Sequence, residues 1–264
     1  MRLAGKVAIV TGSTKGIGVG IAERFAAEGA TVVVSGRTVD KGEEVAARIT
    51  EAGGVATFVP CDLGDTSQCR ALVDAAVSQY GGVDVLVNNA APLELITGGS
   101  ERPIADQTPE EFESFIRIAL LGTAAMIRYA VPPMLERGGG SIVNISSGSS
   151  VMGVAGTPGY SAAKGAINAL SRQVAVDYGL RGIRCNTIIV GLVAIGEVTL
   201  GLLENPVFEK ALKSMTVSPR LGTPGDIAEG ALYLASDAAE WVSGSMLTID
   251  GGASIKTPVP EMSG

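Results

Sequence analysis

No histidine occurs among the 264 residues. A Ser-His-Asp hydrolase and most zinc chemistry are thereby excluded, because both need an imidazole as base or ligand. Cysteine is scarce too: Cys61, Cys69 and Cys185 show no metal-like spacing and fall in apolar or helical contexts, which reads as reduced, structural thiols. Positive charge is in short supply. Twenty Lys and Arg stand against 27 Asp and Glu, giving a formal charge of -7, and no basic stripe could follow a phosphate backbone, so nucleic acid is not an expected partner. The chain opens without a charged leader and long apolar run; Val7 to Val10 is only strand-length and passes straight into a glycine loop. The expectation is a cytoplasmic protein with no membrane partner. There is no internal repeat, low-complexity stretch or sign of a second core, so residues 1–264 read as one domain.

What is present is a rhythm of strand and helix. β-Branched runs at Val7 to Val10, Thr31 to Ser35, Val55 to Val59, Val83 to Val87, Ser141 to Ile145, Ile183 to Ile188 and Met246 to Ile249 read as strands buried on both faces. Between them lie helical patterns over Gly16 to Glu28, Val39 to Ala52, Thr66 to Tyr80, Pro109 to Glu136, Tyr160 to Tyr178 and Pro224 to Ala235. This alternation predicts an α/β chain with a Rossmann-like, doubly wound parallel sheet of about seven strands, helices on both faces, and ligands beyond the carboxyl ends of the strands. The segment from Gly191 to Met215 carries Val193, Ile195, Val198, Leu200, Leu202, Leu203, Val207 and Phe208 without a strand partner. It reads either as an apolar substrate lid or as a packed helix pair or oligomer contact. Residues 253–264, with Pro258 and Pro260, read as a loose tail.

After the first strand comes Thr11-Gly12-Ser13-Thr14-Lys15-Gly16-Ile17-Gly18. Glycines allow a tight turn and close backbone approach, and a helix start offers free N–H groups to a pyrophosphate. At the end of the second strand an NAD site usually carries a carboxylate for the ribose hydroxyl, whereas an NADP site uses arginine against the 2′-phosphate. Here the residues are Ser35-Gly36-Arg37, with Lys15 as a second cation nearby in the loop. NADP(H) is expected, with NAD(H) the alternative if Arg37 merely opens a solvated helix.

Tyr160 and Lys164 stand four residues apart, so a helix projects them from one face, where the ammonium is expected to lower the phenol pKa from about 10. Such a phenol could pass protons near neutral pH. Ser147 lies upstream in Asn144-Ile145-Ser146-Ser147; alone it would read as a helix cap or turn residue.

With the glycine loop, Asn88-Asn89-Ala90, Ser147, and Tyr160 four before Lys164, the chain resembles the short-chain dehydrogenase/reductase family. The resemblance runs from about Lys6 to Gly252 and includes Arg220-Leu221-Gly222-Thr223-Pro224 and Asp250-Gly251-Gly252 near the end. It implies a catalytic Ser147, Tyr160 and Lys164, and a cofactor site of Gly12, Ser13, Thr14, Lys15, Gly16, Ile17, Gly18, Arg37, Asp62, Leu63, Asn89, Ala90, Gly191 and Val193, together with Tyr160 and Lys164. Asp62 would meet the adenine, Asn88 and Ala90 would line the cofactor, Val193 would meet the carboxamide through its backbone, and Lys164 would hold the nicotinamide ribose. The resemblance implies an NADP(H)-dependent ketone reductase or alcohol dehydrogenase acting on a small hydrophobic substrate, and a homotetramer built on the helix of Tyr160. The small apolar residues of that helix agree, although alanine also serves helix propensity.

Four positions depart from the family pattern. Ala91 replaces the glycine of Asn-Asn-Ala-Gly, Val190-Gly191 stands for Pro-Gly, Ile195 replaces a threonine near the nicotinamide, and Ala119 occupies the place of a catalytic asparagine whose amide anchors a water. Alanine offers no side-chain hydrogen bond. A non-catalytic cofactor sensor is therefore the competing reading; an epimerase or dehydratase is weaker, because the branch of the family with those reactions usually has another glycine loop and a longer C-terminal domain.

Overall fold

The computed structural model describes residues 1–195 and 204–256; Val198, Leu200, Leu202 and Leu203 of the expected lid, and positions 257–264 of the expected tail, lie outside the described residues. Among the described residues the strands are β1 (Val7–Val10), β2 (Thr31–Gly36), β3 (Val55–Pro60), β4 (Val85–Asn88), β5 (Gly140–Ile145), β6 (Ile183–Val190) and β7 (Met246–Ile249). They form one parallel sheet in the order β3-β2-β1-β4-β5-β6-β7. β4 starts later than the run Val83 to Val87. Asp84 there turns its carboxylate to the Val7 N–H at 2.7 Å and to Arg137 Nε at 2.9 Å.

Among the described residues the α-helices are α1 (Ile17–Ala27), α2 (Val39–Glu51), α3 (Thr66–Tyr80), α4 (Leu93–Thr97), α5 (Pro109–Phe115), α6 (Gly122–Glu136), α7 (Pro158–Tyr178), α8 (Pro206–Ser214) and α9 (Pro224–Ala235). Their starts follow local chemistry. Thr108 and Thr223 each cap with a hydroxyl while Glu111 and Asp226 reach back to the cap N–H, and proline fills the first helical position.

Side chains alternate across the sheet. Val10, Val34, Val87 and Val143 enter one core with α1, α2 and α9, whereas Ile9, Val33, Leu86 and Ile142 enter the other with α3, α6 and α7. Each strand is thus apolar on both sides, which is why its sequence reads as a continuous run.

The plain helix expected over Pro109 to Glu136 needs one correction. Between α5 and α6, Ile116–Leu121 winds one residue wider, and the Gly122 N–H donates to the Arg117 carbonyl. Ala119, in this wide turn, is fully buried. The whole stretch is long and apolar enough to cross a membrane, yet half of its most apolar window is buried and Met126, Ala130 and Met134 are closed from solvent: it is a core helix.

The chain moves outward from β1 to β3 and then returns to the far side of β1 at β4. That reversal opens a crevice at the carboxyl ends of β1 and β4, where ligands of such sheets bind.

Candidate active site

The glycine loop is pinned by its own backbone. Gly12 has φ +62°, and a Cβ there would stand 2.7 Å from Ala90 Cα; a Cβ on Gly18 would stand 2.4 Å from the Gly12 carbonyl oxygen and 2.5 Å from Asn89 Nδ2. Asn89 donates from Nδ2 to the carbonyls of Thr11 and Gly12, at 3.0 and 2.9 Å, and the Ala90 N–H donates to Thr11 Oγ1. Asn89 and Ala90 therefore hold the loop in shape. Ser13 is fully buried, donating to the Val10 carbonyl at 2.6 Å and accepting from the Ser35 N–H at 2.9 Å. Thr14 packs against Gly36. Gly16 precedes α1 at φ +61°, and no side chain caps the first turn of that helix, on which Ile17 and Gly18 lie. The bare helix start and the close glycine packing fit a pyrophosphate held by backbone N–H groups.

Arg37 and Lys15 meet above this loop. The carboxylate of Glu94, in the first turn of α4, accepts from Arg37 Nη2 at 2.6 Å through one oxygen and lies 3.8 Å from Lys15 Nζ through the other. The two cations converge on one anion, as a cofactor 2′-phosphate would require. Arg37 foremost, through its hydrogen bond, holds the Glu94 carboxyl below its ordinary range.

On the other side of the crevice, β5 and α7 bring the expected catalytic residues together. The Ser147 hydroxyl lies near enough to the Tyr160 phenol to favour its ionised form, and Lys164 Nζ lies 5.6 Å from the centre of the tyrosine ring. Ser147 also accepts from the Ser149 N–H at 3.3 Å, so it caps the short turn Gly148–Ser150 while facing Tyr160. Lys164 is almost fully buried and donates to the Ile145 carbonyl at 2.7 Å. Burial draws its pKa down to about 8. The expected lowering of the phenol pKa is corrected: burial pushes Tyr160 up, and the Ser147 hydrogen bond pulls the other way.

The remaining expected residues are spread along the same edge. Asp62 Oδ1 accepts from the Gly64 N–H at 2.8 Å, and Leu63 is buried where a Cβ on Gly122 would meet it at 2.7 Å. Gly191 has a packing reason, since a Cβ there would lie 2.5 Å from Asp250 Cα. Val193 bridges to Gly222: the Gly222 N–H donates to the Leu192 carbonyl and the Ala194 N–H donates to the Gly222 carbonyl, so the N–H and carbonyl of Val193 itself face away from Gly222. Ile195 lies over the glycine loop: a Cβ on Gly16 would be 3.6 Å from its Cδ1. Asn88 does not line the crevice; it is buried and donates to Asn144 Oδ1 at 2.8 Å, in a chain that continues to Ser171 and Thr187. This network supports β4, β5 and β6 behind the site.

Two site residues escaped the sequence reading, Glu94 and Glu101. Glu101 Oε1 accepts from the Tyr160 N–H at 2.6 Å, tying the segment after α4 to the start of α7. Neither has a local signal, because their partners are 57 and 59 residues away.

A family described as enoyl-(acyl carrier protein) reductase matches residues 12–254. The chain is 37% identical over 256 residues to the 2,5-dichloro-2,5-cyclohexadiene-1,4-diol dehydrogenase of Sphingobium indicum, covering 96% of this chain and 98% of that one. It is 38% identical over 252 residues to the 7alpha-hydroxysteroid dehydrogenase of Escherichia coli K12, covering 96% and 95%. A gluconate 5-dehydrogenase from Burkholderia cenocepacia J2315, solved in complex with NADP and tartrate, superposes with a TM-score of 0.87 at 30% identity, covering 97% of this chain and 98% of that one. Fold, motifs and relatives together make this chain a member of the short-chain dehydrogenase/reductase family of oxidoreductases.

Proposed function

We propose that this protein is a cytoplasmic, NADP(H)-dependent short-chain alcohol dehydrogenase or carbonyl reductase that interconverts a ketone and a secondary alcohol on a hydrophobic substrate. The observation that carries the reading is the buried ammonium of Lys164, 5.6 Å from the centre of the Tyr160 ring, with the Ser147 hydroxyl beside the phenol. Bound nicotinamide supplies or accepts the hydride. Tyr160 gives a proton to the substrate oxygen during reduction and takes it back during oxidation. Ser147 donates a hydrogen bond to the same oxygen and orients it. Lys164 keeps positive charge behind the phenol and would hold the nicotinamide ribose of a bound cofactor. Asp62, Gly191 and the backbone of Val193 complete the cofactor site, and the segment 191–215 acts as a lid.

Arg37 and Lys15 converging on one anion support NADP(H) over NAD(H), as does the NADP-bound relative. Three buried free thiols suit a reducing compartment. Val151, Met152 and Val154, on the segment joining Ser147 to Tyr160, stand exposed, which favours an apolar substrate. The relatives named for a cyclohexadiene diol and a hydroxysteroid point to a ring-bearing alcohol. Ala119 and Ile195 favour the competing reading of a cofactor sensor.

Purified protein mixed with a panel of cyclic and steroid ketones distinguishes the two, followed by loss of reduced-nicotinamide absorbance with NADPH and with NADH. Turnover on at least one ketone, faster with NADPH, is expected. Tight NADPH binding without turnover across the panel would leave only the sensor.

A further inference from the structure

We infer that Glu94 is a cofactor-selectivity residue, an internal carboxylate that occupies the cation pair meant for the cofactor's 2′-phosphate. This rests on the NADP(H) reading given above. Arg37 follows β2, Lys15 belongs to the glycine loop, and Glu94 comes from α4, so three separate parts of the chain meet at one point. Each carboxylate oxygen serves one cation, at 2.6 Å for Arg37 and 3.8 Å for Lys15.

A phosphate and Glu94 cannot share the two cations. Phosphate brings more charge than the carboxylate, and the three side chains are more than half exposed (54%, 59% and 63%), so water screens the internal pair and leaves it weakly held. A 2′-phosphate therefore displaces Glu94, at the expense of the Arg37 bond that Glu94 makes. A ribose 2′-hydroxyl carries no charge and has no comparable conflict. Glu94 thus lowers affinity for the phosphorylated dinucleotide while leaving the other almost untouched, and it narrows the preference that Arg37 and Lys15 create.

The test uses adenosine 2′,5′-bisphosphate and 5′-AMP as probes of the adenosine half-site, titrated calorimetrically into wild type, Glu94→Gln, Glu94→Asp and Arg37→Ala at low and at 0.5 M salt. Glu94→Gln is expected to tighten the bisphosphate about three- to tenfold at low salt, with 5′-AMP unchanged and the gain shrinking at high salt. Glu94→Asp, one methylene too short to span both cations, should show part of the gain. Bisphosphate affinity that is unchanged or weaker in Glu94→Gln, while Arg37→Ala weakens it, overturns the role of Glu94 and leaves the NADP(H) reading standing. If Arg37→Ala binds the bisphosphate as well as wild type, the NADP(H) reading fails and the inference fails with it.

Discussion

Lys164 is charged at neutral pH only against the pull of its surroundings. Its pKa falls from the ordinary 10.5 to about 8 because burial strips the ammonium of water; among the described residues its one acceptor is the Ile145 carbonyl. The folded value lies below the unfolded one, so the folded state binds fewer protons between these pH values, and stability rises with pH across that window. Below about pH 8 the full penalty of a buried charge is present. Wild type should therefore gain on the order of 3 kcal/mol relative to Lys164→Met as pH climbs from 8 through 10.5, read from urea midpoints of both proteins. A gap that stays constant with pH would show that burial does not perturb this lysine. Tyr160 is perturbed in the other direction, so the pair stays a neutral phenol beside an ammonium until a ligand changes the balance.

Among the elements, the contact of α7 with α5 decides where Tyr160 sits. Gly159 allows it: a Cβ there would stand 2.8 Å from Cδ2 of Phe115, a ring with no exposure. Gly159→Ala should destabilise the fold by about 1–3 kcal/mol through overpacking and lower turnover more than cofactor affinity, checked by thermal melts and NADPH titration. The strands and most helices are legible in the sequence because their signals are local: Val32-Val33-Val34 can only be a buried run, and Thr223-Pro224 with Asp226 announces a helix start. The wide turn at Ile116–Leu121 is not legible, since one extra residue per turn leaves the apolar spacing almost intact and is settled by packing. α4 and α8 are missed for being short pieces inside irregular segments. At the site, helical spacing brings Tyr160 and Lys164 together and the cations are visible in the sequence, whereas Ser147 is singled out only by the family resemblance. The carboxylate that joins Arg37 and Lys15 arrives from a distant element, and Ser13 and Asn88 reveal their buried structural roles only once β2 and β5 lie beside them.

At the scale of the whole molecule, the outer side of α7 carries Ala162, Ala169 and Val176 at seven-residue intervals, all exposed, with Val176 at 77%. An apolar line of this kind on a helix whose other side is buried suits the homotetramer that the family resemblance implies. Ala169→Arg should shift the protein from tetramer to smaller species in light scattering while NADPH binding persists; an unchanged mass would place the interface elsewhere. The doubly wound sheet sets a cation pair and a glycine loop at one side of its crevice and a phenol with its serine and lysine at the other. Proton transfer through that phenol is the central claim, and single-turnover reduction of an accepted ketone by saturating NADPH tests it most directly, comparing wild type with Tyr160→Phe. A fall in rate of about a thousandfold, with NADPH affinity held within about twofold, is the predicted result. Equal rates in the two proteins would contradict it.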